Sequence, residues 1–408
     1  MCQTGGMSEA DPSAQAAVRE VPVPQELASG HVLKLLKGHL ATLHAHRAHG
    51  NRTLFYDELL VGLLIAAYEP CINSLRTLDD ASVSQSFLRS QITSKRLAKS
   101  TLSDAMATMN PDCLLPILKR LMGRVPNLRR RDPDLEGLGR ILAVDGSHFR
   151  MAVDVLWAMA FKKANDRKGC SVRLNLQLDV LEFLPVDLSV SGQGDGSEGK
   201  AFLAQGIRPE AVYLADRAFI DMNFIAGVLD AGADLVVRLH GDTRFQRRYS
   251  QPLDAEDKEA HVVSDFIGTL PRIGARHLRE VIVTDPRSGK PVRLLTSLLD
   301  VPARVIGKLY RHRWTIELFY RWLKCVARVR HLISDSRNGV TLQFYVAMIA
   351  VLAGYIVTGA KPGLYEYNML CGVMRGTTIE SGMLEVLARR ARERELERLR
   401  KARKKQAG

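Results

Sequence analysis

The alternation of apolar and polar positions changes character near residue 140, and that change divides the chain. Over residues 25–125 the apolar positions recur at helical spacing. Leu54 to Ala67 is an apolar run with Asp57 and Glu58 early in it, as a helix N-terminus prefers. Leu75 to Arg89 reads as one or two short helices, and Ser100-Thr101 offers an N-cap before Leu102–Met109. Residues 126–139 are rich in Pro, Gly and charge and read as a linker. Beyond it, strand patterns appear at Arg140–Ser147, Gly169–Leu181, Pro185–Val190 and Ala211–Ala215. Residues 233–300 are β-rich, with Leu278–Val283 and Val292–Leu298 flanking a DPRSGK hairpin turn, and read as an insertion. A helix is expected over 304–330 and an apolar helix over 342–358. The latter has about 17 continuous apolar residues against the roughly 20 of a membrane span, which favours a buried core helix. Residues 1–24, small and polar, are expected to be disordered, and 361–408 to form a basic, helical C-terminal tail.

Composition narrows the class. Of 408 residues, 46% are apolar and 25% charged, which excludes a mainly disordered chain, a collagen-like fibre and a polytopic membrane protein. The formal net charge is +14. Residues 389–408 hold ten Lys/Arg and three Glu, and residues 304–330 hold eight Lys/Arg and one acid, Glu317. This balance points to a polyanion, without choosing between nucleic acid and anionic lipid. The six cysteines include no C-x-x-C pair, so neither a zinc knuckle nor a disulfide framework is indicated, and a reduced cytoplasmic setting is expected. The first residues carry no pattern of a secretory signal.

The candidate chemistry lies in three carboxylates. Asp145 and Asp216 each close a short apolar strand, exposed but rigidly held. Glu317 stands alone among cations in YRHRWTIELFYRWLK. On a helix turning about 100° per residue, Tyr310, Arg313, Glu317 and Lys324 fall within an arc of roughly 60°, and Arg321 and Arg328 join them. A coiled-coil seam takes the same spacing but needs apolar residues. Ile306, Leu309, Ile316, Phe319 and Leu323 supply the packing face instead. Three carboxylates from two strands and a helix suit two Mg2+ or Mn2+ ions, since hard cations take oxygen ligands. The neighbouring Tyr, Arg and Lys side chains would hold phosphodiester oxygens.

These residues resemble the DDE transposases of bacterial insertion sequences, in particular the IS-four-like group. The group's Tyr-x2-Arg-x3-Glu-x6-Lys motif is matched at Tyr310, Arg313, Glu317 and Lys324, and its Asp-Gly-Ser/Thr motif at Asp145-Gly146-Ser147. The second block, Asp-x-Gly-aromatic, reads Asp216-Arg217-Ala218-Phe219, with Ala in place of Gly. The resemblance implies an RNase H-like α/β core over 140–360 with a β-rich insertion, preceded by a helical DNA-binding domain over 25–125. It implies metal-dependent cutting of element ends and joining of 3′-hydroxyls to target DNA, with double-stranded DNA as partner. A homodimer or higher assembly on paired ends is implied too, in a nucleoid-associated bacterial protein. A metal-dependent nuclease of the same fold that cuts without joining, and an inert DNA-binding relic, are the alternatives.

Weaker signals are a helix-turn-helix reader around Ser94–Thr101, a metal pair from the His39, His44, His46 and His49 cluster, and His148 near Asp145. Trp314 and Trp322 are candidates for base stacking, with core packing as the default.

Overall fold

The computed structural model describes residues 32–45, 54–85, 88–89, 92, 96–125, 132–151, 155–162, 168–219, 221–286, 288–327, 329, 332–374 and 377–406. The expected disordered segment, His46, His49, residues 93–95, residues 126–131 of the linker and Arg328 lie outside these.

Among the elements described in full, five α-helices come first: α1 (Val32–Ala45), α2 (Tyr56–Tyr68), α3 (Leu75–Ser84), α4 (Lys99–Thr108) and α5 (Leu115–Met122). Ser74 caps α3 by accepting from the Thr77 amide at 3.1 Å. The expected cap at Ser100-Thr101 is not used. The α4 helix starts at Lys99 with Ala98 in the cap position, and the Lys99 amide donates instead to Asp79.

A single mixed sheet follows. It is built from β1 (Ile141–Arg150), β2 (Met159–Lys162), β3 (Lys168–Asp179), β4 (Leu184–Ser191), β5 (Val212–Ala215), β6 (Asp234–Arg238), β7 (Gln246–Ser250), β8 (Val262–Thr269), β9 (Leu278–Thr284) and β10 (Pro291–Thr296). Strands β2 and β4 both pair with β3, and the order onward is β3-β1-β5-β6-β10-β9-β8-β7. β3 runs antiparallel to β1 and β4, whereas β5 is parallel to both β1 and β6. Parallel neighbours need a crossover. Helices α6 (Glu198–Gln205) and α7 (Met222–Asp230) supply two crossovers on one face of the sheet.

The opposite face carries α9 (Ala303–His312), α10 (Trp314–Cys325) and α11 (Arg337–Thr358), and the short α8 (Ala255–Glu259) packs by β8. Side chains alternate between the faces as strand geometry requires. Ile141, Ala143, Val212 and Leu214 pack with Ile306, Ile316 and Phe319. Leu142, Val144, Tyr213 and Ala215 pack with Phe202 and Phe224.

The expected boundaries shift in places. The β-rich stretch 233–300 belongs to the one sheet. Its first strand, β6, continues the parallel core, and β7–β10 extend the same sheet by antiparallel pairing. The hairpin itself falls where the turn residues place it, with Thr284 opposite Pro291. The helical N-terminal region shares its packing with the later helices, for α2, α4 and α5 pack on α11 in one core running from Leu36 to Leu387. The Tyr68 hydroxyl donates to the Ala350 carbonyl at 2.6 Å across this contact. The end of the linker is packed as well, for Leu135 is buried and Asp132 grips Lys308 at 2.6 Å. The tail is structured as α12 (Leu364–Met374) and α13 (Glu380–Gln406), and α12 with the start of α13 joins the core through Tyr367, Leu370, Met383 and Leu387.

At 22 residues α11 is longer than its apolar run suggests, and by length and composition it is enough to cross a membrane. In this fold 89% of its apolar window is buried inside the protein. It is the central core helix, as its apolar run led one to expect.

Candidate active site

Strand register brings the first two carboxylates together. Ala143 pairs with Leu214 in the parallel β1–β5 ladder. Carried two residues further, that register sets Asp145 level with Asp216. Both are two residues beyond a side chain on the α9–α10 face, so both carboxylates face those helices. β1 does not stop at Asp145. It continues to Arg150 because β3 pairs with it that far, so Asp145 is a mid-strand residue whose parallel neighbour has ended.

Gly146 faces the other way. A Cβ there would lie 2.5 Å from the Glu198 carboxylate and 2.8 Å from Arg173 Cδ, so any larger residue would make these two side chains shift. Asp216 ends β5, and residues 217–219 form a single 3-10 turn. The turn buries Phe219 between Phe202 and Phe224, with centroids 5.4 Å away on each side. Ala218 does not have positive φ, so the replacement of the family's glycine needs no strained backbone.

The helix expected over 304–330 is two helices. The Arg313 amide bonds Tyr310 O, and the Ile316 amide bonds Arg313 O, both three residues back, which tightens the junction between α9 and α10. The α10 helix ends at Cys325. The common stripe is therefore divided. On α9, the Tyr310 hydroxyl donates to Asp216 at 3.2 Å. At the junction, Arg313 is 8% exposed and donates to Glu317 at 2.6 Å. Its guanidinium also lies 5.8 Å from the Tyr310 ring centre, and its buried Nε has no hydrogen-bond partner among the described residues. On α10, Lys324 donates to the Ser147 hydroxyl at 2.8 Å and to the His148 carbonyl at 3.1 Å. Arg321 is exposed. The cations of the motif thus fall into two sets, one turned onto the carboxylates and one facing an open cleft of about 710 Å3. That cleft is lined by Asp145, Ser147, Glu317, Arg321 and Lys324 among others.

The electrostatics follow from burial and crowding of like charge. Burial, then Glu198 and Glu317, push the Asp145 carboxyl up to about 7, against the pull of Arg313 and the Gly146 amide. Burial also raises Glu198, with Asp216 adding to it and Arg173 opposing. Burial and the nearby Asp216 push Tyr310 up to about 12, which keeps its hydroxyl a donor. Burial opposes the charge of Arg313, but Glu317, Tyr310 and Asp216 outweigh it and hold the guanidinium above its usual range. Burial lowers Lys324.

Two residues at this site carry no signal that sequence reading used. Glu198 opens α6 behind a Ser197 cap and reads as an ordinary first-turn acid. Tyr320, buried, donates to the carbonyls of Asp145 and Leu174, both at 2.8 Å, yet in sequence it reads as one more core aromatic. Other expectations are placed elsewhere. His148 is exposed and within hydrogen-bonding distance, 3.2 Å, of Ser171. His44 bonds Asp57. Trp322 is core, bonded to the Pro362 carbonyl, whereas Trp314 is 45% exposed.

The donor set fits a hard divalent cation. It offers carboxylate oxygens with no thiol or imidazole among them, and crowding raises the Asp145 pKa in a way a cation would relieve. Among the described residues, no three His, Cys, Asp or Glu side chains stand close enough to enclose an ion unaided.

Residues 136–353 match the transposase DDE domain family, and the chain belongs to it. It is 26% identical over 184 residues to a probable transposase for insertion sequence element IS5377 of Geobacillus stearothermophilus, across 44% of this chain and 47% of that one. It is 27% identical over 259 residues to putative transposase y4zB of Sinorhizobium fredii, across 61% and 68%. A putative transposase for insertion sequence element IS4SA of Synechocystis is 23% identical over 235 residues, across 55% and 62%. The chain thus spans about half the length of the first of these relatives. Its fold superposes on a piggyBac transposase synaptic complex with hairpin DNA at a TM-score of 0.41 and 11% identity, covering 95% of this chain and 84% of that one.

Proposed function

We propose that this protein is an insertion-sequence transposase that cuts DNA at element ends and joins the freed 3′-hydroxyls to target DNA, with Asp145, Asp216 and Glu317 as its catalytic carboxylates. The observation that carries the reading is the register of β1 and β5. It levels two aspartates on the face where α10 presents Glu317. The strand order β4-β3-β1-β5-β6, with three antiparallel strands leading into two parallel ones, supports an RNase H-like core.

Asp145, Asp216 and Glu317 would hold Mg2+ or Mn2+, two ions in all, and the bound metal would supply charge stabilisation at the scissile phosphate. The chain's own side chains orient and bind. Tyr310 donates to Asp216 and fixes its rotamer. Arg313 holds Glu317 and shields it from the like charge of its neighbours. Arg321 and Lys324 face the cleft and bind the phosphodiester backbone, without reading bases. Double-stranded DNA is the partner, in the form of terminal repeats and target, and two or more copies act on paired ends.

The test is cleavage and joining on a duplex carrying the element end. Asp145→Asn, Asp216→Asn and Glu317→Gln should each abolish cleavage while DNA binding in EDTA persists. Full cleavage by any one of them removes that residue from the triad. Cleaved but never joined product from the parent protein makes it a nuclease instead.

A further inference from the structure

Three side chains stitch α9 and α10 to the sheet edge that carries the carboxylates. They are Tyr310 to Asp216, Lys324 to Ser147 and His148, and Tyr320 to the backbone at Asp145. Lys324 and Tyr320 both line the cleft, but Tyr320 is 4% exposed and its hydroxyl is used up between two carbonyls of adjacent strands, Asp145 on β1 and Leu174 on β3. One hydroxyl has one proton, so the two bonds share it as a three-centre contact.

The placement matters because of what else holds α10. Ile316, Phe319 and Leu323 bury its apolar face against the sheet. Such contact is non-directional and tolerates a helix sliding or rolling slightly. A hydrogen bond to a strand carbonyl is directional and sets register. Glu317 lies three residues before Tyr320, so the two are neighbours on one helix surface, less than a turn apart. The same hydroxyl is bonded to the main chain of Asp145. The bond therefore runs from the helix bearing one catalytic carboxylate to the residue bearing another.

We propose that Tyr320 is a positioning residue whose buried hydroxyl fixes the spacing of Glu317 from Asp145, and with it the fit of the carboxylates to a divalent cation. The proposal rests on the transposase reading above. It is distinct from acid–base work, for burial keeps the phenol protonated far above neutral pH. Substrate contact is not required of it either.

The experiment uses the full chain and compares the parent with Tyr320→Phe, which keeps the ring and its packing. Binding of Mn2+ is followed by electron paramagnetic resonance without DNA. Cleavage of end DNA is followed over a range of Mn2+ concentrations. The expected result is a tenfold or greater rise in the Mn2+ concentration for half-binding and for half-maximal cleavage. Recovery of most of the cleavage rate at high Mn2+ and an unchanged KM for DNA should accompany it. A variant that melts earlier but keeps parental Mn2+ affinity overturns the proposal and leaves the hydroxyl a stability contact. Asp145→Asn, run in parallel, separates the two readings. If it binds Mn2+ and cleaves like the parent, the site assignment itself falls. If it fails while Tyr320→Phe matches the parent, only the positioning role falls. A Tyr320→Phe protein that has lost DNA binding as well also counts against the proposal.

Discussion

A single carboxyl group illustrates how an active site burdens its own fold. Burial and the neighbouring carboxylates push Asp145 up to about 7, whereas an aspartate in an unfolded chain titrates near 4. Between those values the folded chain keeps a proton that the unfolded chain has released, so stability falls as pH rises through this window. Asp145→Asn removes that slope. In EDTA the variant should melt above the parent at pH 8 and near it at pH 4, and Mn2+ should narrow or reverse the gap at pH 8. Equal melting of the two at pH 8 contradicts the crowding of charge described here. Gly146 gives a second residue-scale test. With Glu198 and Arg173 closed over it, Gly146→Ala should cost about 1–3 kcal/mol in urea unfolding. Ala218→Gly should change little, because the 3-10 turn asks for no left-handed residue. The carboxylates themselves were legible in the sequence as polar ends to apolar strand patterns. Glu198 was not, since its role depends on which strand α6 happens to cover.

Helical periodicity read the motif's cations as one surface, and the break at Arg313 shows where that reading stops. Periodicity assigns angles only while the helix is continuous, and a side chain with a 2.6 Å ion-pair partner need not face solvent. The two sets of cations should separate by salt dependence of DNA binding. Arg321→Ala should flatten the slope of log K against log salt by about 0.9, the loss of one phosphate contact. Arg313→Ala should leave that slope at the parental value while cleavage collapses, because it releases Glu317 rather than a phosphate. Matching slopes for the two variants would restore the single stripe. Tyr310→Phe removes one donor from Asp216 and should cost about 0.5–1.5 kcal/mol, read as a rate change at constant DNA affinity. Strand existence and the DPRSGK hairpin were readable from alternation and turn residues. That β6–β10 extend the core sheet was not, because pairing partners distant in sequence leave no local trace.

Across the molecule, the expected boundary at residues 126–139 dissolves into shared packing. A composition shift marks where helices give way to strands, which is a different matter from where one core ends. Helices α2, α4 and α5 cover α11, so a fragment of about residues 1–130 would expose Leu59, Leu63 and Tyr68 to water. Such a fragment should be poorly soluble rather than a free DNA-reading module, and urea unfolding of the full chain should show one transition for both regions. Two separated transitions would restore the independent domain.

The depth of α11 also bears on copies of this gene that accumulate stop codons. This central helix is made after α2, α4 and α5, so their packing on it waits until it emerges. A product ending anywhere short of Arg337 presents an empty trough lined by the partners of α11. It is therefore fit for proteolysis. Truncated copies should thus be cleared rather than accumulate.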